Sequence, residues 1–294
     1  MKIFLLIIFL SIFFMCGSVF ALDWISLHEQ ADIVNSTEAL KIQQENPEQL
    51  EALYVLGLTY LNEFKNKEAE ATFDQMLTVD PGSIEAQWGK AESVRRRRDF
   101  DQSQKILDNV IAADYSFAPA YISLAYINYI KMNFDESVQL AVTVIKFGKE
   151  NVDLTNFVRA HCLVAGAKGM IAHYGGPVSK VINGRSVLPY LKKAEKLDPD
   201  APAVLFGLGS YYFLIPRIFG RNIDKAEEYL LQAVKVDPNF PDIYVRLAQI
   251  AQLRNDNEKY KEYLSKALSL DPENELAKDI ERGKCDFICI TTEK

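Results

Sequence analysis

Apolar residues recur at three- and four-residue spacing along most of this chain, the pattern of amphipathic helices. The segments they define end at a repeated polar step: Asn46-Pro47, Asp80-Pro81, Asp198-Pro199, Asp237-Pro238 and Asp271-Pro272. Pro47 and Pro81 lie 34 residues apart, as do Pro238 and Pro272; Pro199 and Pro238 are separated by 39, and the 118 residues from Pro81 to Pro199 equal three periods of 34 plus 16. Inside that gap the phase falls on Asp114-Tyr115 and Gly148-Lys149, where proline is missing but the flanking helical pattern persists. The residue before proline resists helical geometry, so each step stops one helix and begins the next. A closed bundle has no need of a fixed period. A stack of helix pairs does, because each pair buries its apolar face only against its neighbours.

Residues 50–83 carry Leu53, Leu56, Gly57, Tyr60, Ala69, Phe73 and Pro81 at the spacing W-x2-L-G-x2-Y, A-x3-F and P, with leucine at the tryptophan position. A later unit repeats this with Leu205, Leu208, Gly209, Tyr212, Ala226, Leu230, Ala233 and Pro238, and the last with Tyr244, Leu247, Ala248, Leu264, Ala267 and Pro272. Weaker units keep Ala91, Leu107 and Val110, then Tyr121, Leu124, Ala125, Ala141 and Val144. Small residues at Gly57, Ala91, Ala125, Gly209 and Ala248 let two helices approach, and large ones fill the space between units. In period and motif the chain resembles the tetratricopeptide repeat family. That resemblance implies an all-α fold, a right-handed superhelix of about six helix-turn-helix units closed by a C-terminal capping helix. The expected division is a signal peptide over 1–21, an N-terminal helix pair over 22–49, three repeat units over 50–151, an irregular unit with a long insertion over 152–201, two units over 202–272, and a capping helix with a cysteine-containing tail over 273–294. The polar segment Glu273 to Arg282 suits a cap.

Two insertions interrupt the array. Sixteen extra residues are expected as a loop around Tyr174 to Ser186, and five around Ile215 to Asn222, each between the two helices of its unit and so on the same edge of the stack. These stretches hold Lys180, Arg185, Arg217 and Arg221 without an acidic residue, which makes them candidate anion-binding loops. The competing expectation pairs these cations with acidic groups on a neighbouring helix. A Gly-Gly-Pro insertion followed by Tyr-Tyr-Phe-Leu-Ile-Pro-Arg-Ile-Phe-Gly also resembles a group of exported bacterial repeat proteins that includes the T component associated with TRAP transporters. Members of that group resemble helpers of periplasmic solute-binding proteins.

Composition narrows the function. Among 294 residues, 33 basic and 40 acidic side chains give a net charge of -7, which disfavours nucleic acid as a partner. Lys2, the apolar run from Ile3 to Cys16 and Val19-Phe20-Ala21 read as a signal peptide cleaved before Leu22, implying export to a periplasm or cell envelope. An uncleaved anchor and a lipid-modified Cys16 are the alternatives. Cys285 and Cys289 either close a small disulfide ring or remain free thiols, and no cysteine or histidine grouping has zinc spacing.

Family ligands lie against the first helix of each unit. Carried onto this chain, the resemblance implies a concave partner-binding groove lined by Tyr54, Leu58, Asn62, Trp88, Glu92, Arg95, Arg96, Ile122, Tyr126, Tyr129, Phe206, Ser210 and Phe213. Such an aromatic wall suits a protein or peptide partner, or a small apolar ligand; packing between repeats is the competing role for each residue. The run Arg95 to Arg98 reads either as charges satisfying a helix C-terminus or as an anion site. There is no phosphate loop, G-x-S-x-G or HExxH motif, no cofactor is implied, and His161 beside Cys162 reads as core packing. An interaction protein is expected, not an enzyme; a solute-binding protein is the partner that the transport-related resemblance implies.

Overall fold

The computed structural model describes residues 22–283. The signal peptide, Cys16, Cys285 and Cys289 lie outside the described residues. Within them the chain is an α-solenoid without strands. Its helices are α1 (Trp24–Ile33), α2 (Ser36–Glu45), α3 (Leu50–Asn62), α4 (Asn66–Val79), α5 (Ile84–Arg96), α6 (Phe100–Ala113), α7 (Ala118–Ile130), α8 (Phe134–Phe147), α9 (Leu154–Tyr174), α10 (Pro177–Leu197), α11 (Pro202–Leu214), α12 (Ile223–Val236), α13 (Pro241–Leu253), α14 (Asn257–Leu270) and α15 (Glu275–Glu281). Odd-numbered helices from α3 to α13 each pair with the even-numbered helix that follows, α1 and α2 both pack on α3, and α15 closes the stack.

Two kinds of turn alternate, each written by particular residues. Where a pair ends, an aspartate caps the helix and its carboxylate accepts the backbone N–H two residues on: Asp80 from Gly82, Asp114 from Ser116, Asp198 from Asp200, Asp237 from Asn239 and Asp271 from Glu273. Asp114 makes the same turn without a proline behind it, so the side-chain oxygen suffices to form this turn. Within a pair, the turn passes through a left-handed residue: Phe64, Arg98, Met132 and Asn255 have φ of 60°, 67°, 63° and 60°. The N–H after each reaches back to close the helix, as Lys65 does to the Tyr60 carbonyl at 2.9 Å and Asn133 to that of Asn128 at 2.8 Å.

Packing follows the small-large rule. The Phe73 ring of α4 lies so close to Gly57 of α3 and Gly89 of α5 that a Cβ at either glycine would sit 2.7 or 2.4 Å from it. One aromatic ring therefore locks three helices, and two glycines make its space. Leu230 of α12 plays the same part against Gly209, at 2.7 Å. Further on, α13 is buried along its whole length from Ile243 to Ala251.

The sixteen-residue insertion departs from the expected loop. It is absorbed into α9 and α10, each 21 residues long against 13 or 14 in the other paired helices from α3 to α14. Gly175 and Gly176 make the tight turn, and Pro177 occupies the first turn of α10, where its missing N–H costs nothing. The insertion lengthens both helices because the segments beside the Gly-Gly-Pro step, Leu163 to Ile171 and Val181 to Leu188, keep helical spacing and pack on each other across Gly169–Val187 and Gly184–Ala172. The five-residue insertion is a true loop containing a 3₁₀ turn at Arg217–Phe219.

Gly57→Ala and Gly89→Ala are expected to lower the melting temperature, although alanine gains about 1 kcal/mol in helix propensity, because the added methyl displaces Phe73. Phe73→Ala should cost about 3–5 kcal/mol. Thermal unfolding of the three variants checks this; a rise for either glycine variant would show that the ring is free to move.

Candidate interaction surface

The concave wall begins with α1. Asp23 caps it by accepting the Ser26 N–H, and Trp24 and His28, one turn apart, share a face. That face lies on the first helices of later units. Trp24 meets Phe117 edge-on at 5.2 Å, His28 packs on Trp88 at 5.4 Å, and His28 Nε2 lies 2.8 Å from the Tyr54 hydroxyl. Burial lowers the His28 pKa and raises that of Tyr54, so both sit neutral in an apolar pocket. At the far end of α1, Asp32 accepts hydrogen bonds from Asn62 of α3 at 3.2 Å and Thr155 of α9 at 2.7 Å. The helix thus spans the inner wall from the first repeat to the fourth.

From Trp88 the contacts become polar. Its indole N–H donates to Ser123 at 3.0 Å, Ser123 donates to Glu92 at 2.6 Å, and Arg95 holds both Glu92 oxygens at 2.9 and 2.8 Å while stacking on Tyr126 at 4.7 Å. Burial alone would raise the Glu92 carboxyl, but the charge and hydrogen bonds of Arg95, helped by Arg96 and Ser123, hold it at about 2. The four arginines of the run go to different places. Arg96 donates to the Leu61 carbonyl and to Asn66, Arg97 pairs with Glu70, and Arg98 crosses the superhelix to Asp271 at 2.7 Å and Glu275 at 2.5 Å. Charges expected to satisfy a helix end or an anion thus tie units together, and Arg96 completes the C-terminus of the preceding unit's first helix.

Of the residues expected to line a groove, Tyr54, Leu58, Trp88, Glu92, Ile122 and Phe213 are buried against this chain's own helices. Arg95, Arg96, Tyr126, Tyr129, Phe206 and Ser210 are half-buried, and Asn62 is exposed. Phe206 packs on Phe240 at 5.1 Å. The structure brings Tyr54, Trp88, Glu92, Arg95 and Tyr126 into one continuous chain of contacts and leaves Phe206, Ser210 and Phe213 in a separate region. A narrow cleft lies where α1, α3, α5 and α9 meet, walled by Asp32, Asn62, Trp88, Arg96, Thr155 and Arg159, and another lies where Gln30, Ile42 and Val55 of α1, α2 and α3 meet. Arg159 is exposed and makes no ion pair among the described residues. Burial and then Arg95 and Arg159 push the Arg96 guanidinium down to about 10, with Glu92 acting against them. Glu92 is matched by Arg95, so Arg96, Arg159 and Asp32 remain on the wall of the first cleft, and the Asp237 carboxylate lies near enough for both guanidiniums to act on it. Sequence reasoning missed Trp24, His28, Thr155 and Arg159; the signal present was the Trp24/His28 pair at one-turn spacing.

The candidate anion-binding cations do not form one site. Lys180 and Arg185 are exposed on α10, Arg217 is exposed on the following loop, and Arg221 donates to the Ile215 carbonyl of its own loop at 2.9 Å. None pairs with an acidic residue among the described residues, so the neighbouring-helix pairing weighed for them is absent. His161 is buried with Nδ1 3.0 Å from the Phe157 carbonyl, and burial pushes the adjacent Cys162 thiol up to about 12, far from a nucleophile's range.

Glu92 has a folded pKa of about 2 against the usual 4.5, so its stabilisation is complete above about 4.5 and is lost as pH falls toward 2. Glu92→Gln should be less stable at pH 7 and lose less on acidification through that window. Glu85, Asp242 and Glu275, raised by burial, act in the opposite sense and are common to both proteins. Urea unfolding at pH 7, 4 and 3 separates the two; parallel losses would remove Glu92 from the acid limb. Arg98→Ala should speed amide exchange in α15 and leave α3 and α4 unchanged, read by hydrogen-exchange mass spectrometry.

The sequence profile of the tetratricopeptide repeat matches residues 50–83, 220–240 and 241–274. No curated protein sequence matches the chain significantly. Among solved structures, a tetratricopeptide repeat protein from Parabacteroides merdae is 14% identical, with a TM-score of 0.54 over 87% of this chain and 96% of that one. The APC/C hetero-tetramer Cut9-Hcn1 is 16% identical, TM-score 0.59, over 87% of this chain and 47% of that one. IFIT1 bound to Gppp-AAAA is 15% identical, TM-score 0.60, over 87% and 58%. At these identities the likeness concerns the fold alone. With the period, the signature residues and the stacked helix pairs, the profile match shows that this chain carries tetratricopeptide repeats.

Proposed function

We propose that this protein is an exported interaction scaffold that binds an acidic side chain of a protein or peptide partner at the mouth of the cleft between α1, α3, α5 and α9. The observation that carries this reading is Arg159, an exposed guanidinium without an ionic partner among the described residues, standing beside a half-buried Arg96. Cations crowded into a cleft of an acidic protein are stabilised by an incoming carboxylate, and a guanidinium accepts one through paired hydrogen bonds. Asn62 and Thr155 add polar groups beside them. Export rests on the leader sequence from Lys2 to Ala21. Tyr54 and Trp88 lie under α1, so a partner reaches them only if α1 moves; the cleft is reachable as it stands.

A second reading, a transport-associated component that serves a solute-binding protein or carries a small apolar molecule, is favoured by one feature. The two segments that carry the resemblance to the TRAP-associated group, Gly175–Pro177 and Tyr211–Gly220, turn at the same edge of the solenoid. Native mass spectrometry of the purified protein tests it: a bound apolar molecule or a copurifying solute-binding protein supports it, and the bare chain counts against it.

For the scaffold, crosslinked affinity capture from the cell envelope with wild-type and Arg159→Glu baits is decisive. Arg159 has no structural bond to lose, so the variant should fold normally and recover its main partner about tenfold less well, a loss of one charge-assisted contact and the gain of a repulsion. Equal recovery would place the partner elsewhere.

A further inference from the structure

Acidic residues outnumber basic ones over the chain, 40 to 33, yet residues 154–194 contain none while carrying Arg159, Lys168, Lys180, Arg185, Lys192 and Lys193. Residues 201–223 also contain none and carry Arg217 and Arg221. These stretches build α9, α10, α11 and the loop after α11. Because α9 and α10 are about seven residues longer than the other paired helices, at 1.5 Å per residue their shared end projects by about 10 Å. On that end Val178, Val181 and Ile182, at helical i, i+3 and i+4 spacing, are 72%, 48% and 61% exposed. One unit further on, Ile218 and Phe219 are 85% and 68% exposed between Arg217 and Arg221. That loop is a built turn: Phe219 N–H donates to the Pro216 carbonyl, Gly220 to that of Arg217 with φ of +100°, and Arg221 to that of Ile215. The neighbouring helices α9 and α11 both run to this edge before the chain turns back, so hairpin tip and loop project from one side.

Exposed β-branched and aromatic side chains flanked by cations, without an acidic residue between them, match the two requirements of an anionic bilayer surface: apolar groups for the acyl boundary and positive charge for the headgroups. A protein groove would have to accommodate two separate protrusions, whereas a fluid surface needs no matching shape. We propose that the α9–α10 tip and the Ile215–Asn222 loop dock this protein peripherally on an anionic lipid surface, with Val178, Ile182, Ile218 and Phe219 inserted and Lys180, Arg185 and Arg217 against the headgroups. No described helix is long and apolar enough to cross a membrane, so the contact is superficial. It is independent of the cleft on the inner wall.

The full chain tests this with depth-resolved fluorescence, which reports the tips whatever the leader does. Tryptophan introduced as Ile182→Trp or Phe219→Trp should be quenched by brominated acyl chains in phosphatidylglycerol vesicles, and Tyr115→Trp, on the opposite edge, should not. Adding Lys180→Glu and Arg185→Glu to Ile182→Trp should abolish the quenching at 182. Unquenched emission at both tips, or equal quenching in phosphatidylcholine, overturns the proposal. So does an envelope protein, captured by the wild type on lipid-free beads, that Ile182→Glu releases while tip quenching is absent.

Discussion

A pair of helices of about thirty residues has two apolar faces and cannot bury either alone; every other feature of this solenoid is a response to that constraint. In the middle of the array the response is mutual. Phe73 reaches across Gly57 to Gly89, and α13 disappears between its neighbours until even Arg246 and Gln249 are inside. At the ends there is no next unit, and the chain covers itself instead. The first helix lays Trp24 and His28 on the inner wall, and the last, Glu275–Glu281, buries Ala277 and Ile280 while turning Glu275 toward Arg98. The two ends are thereby tied to the interior by contacts between residues 123 and 177 positions apart.

Buried charge on the inner wall is costly unless each group is paired, and here the pairing crosses unit boundaries. Ser123 and Arg95 supply Glu92 with donors from the next unit and from its own helix, and Arg98 draws acids from the far end of the chain. An apolar wall of the same volume would be at least as stable, but it would tolerate sliding between units. Hydrogen bonds with one satisfactory geometry do not. The polar ladder therefore joins units at defined side chains, Trp88 and Glu92 to Ser123 and Arg98 to Asp271.

The repeat period, the unit boundaries marked by Asp-Pro, the glycine beside Phe73 and the terminal helix were legible in the sequence because each is a local consequence of spacing or of one residue's backbone preference. What could not be read were outcomes of distant packing. The groove positions follow from the repeat phase, but whether Tyr54 and Trp88 face solvent depends on where Trp24 and His28 land, a matter of superhelical curvature. The insertion misled for a different reason. Gly-Gly-Pro is a turn signal, and it does make a turn, but a two-residue one; the remaining residues kept helical spacing and found partners across the hairpin, which a loop assignment based on the glycines overlooked.

Charge is segregated along the fold as well as along the sequence. The acid-free stretch from 154 to 194 and its continuation from 201 to 223 place cations on one sector, so the rest of the protein carries more negative charge than the net value of -7 conveys. Ion pairs within the acidic part, such as Arg254 with Asp224 and Glu227 or Lys90 with Glu70 and Asp74, consume basic side chains locally. Lys180, Arg185 and Arg217 have no such partners among the described residues. Since exposed charges are screened beyond about 8 Å at physiological salt, the distant acids do not neutralise that sector, and it presents a positive face from a protein that is acidic overall. A single chain can thus offer surfaces of opposite sign to different neighbours, and the long hairpin separates them in space.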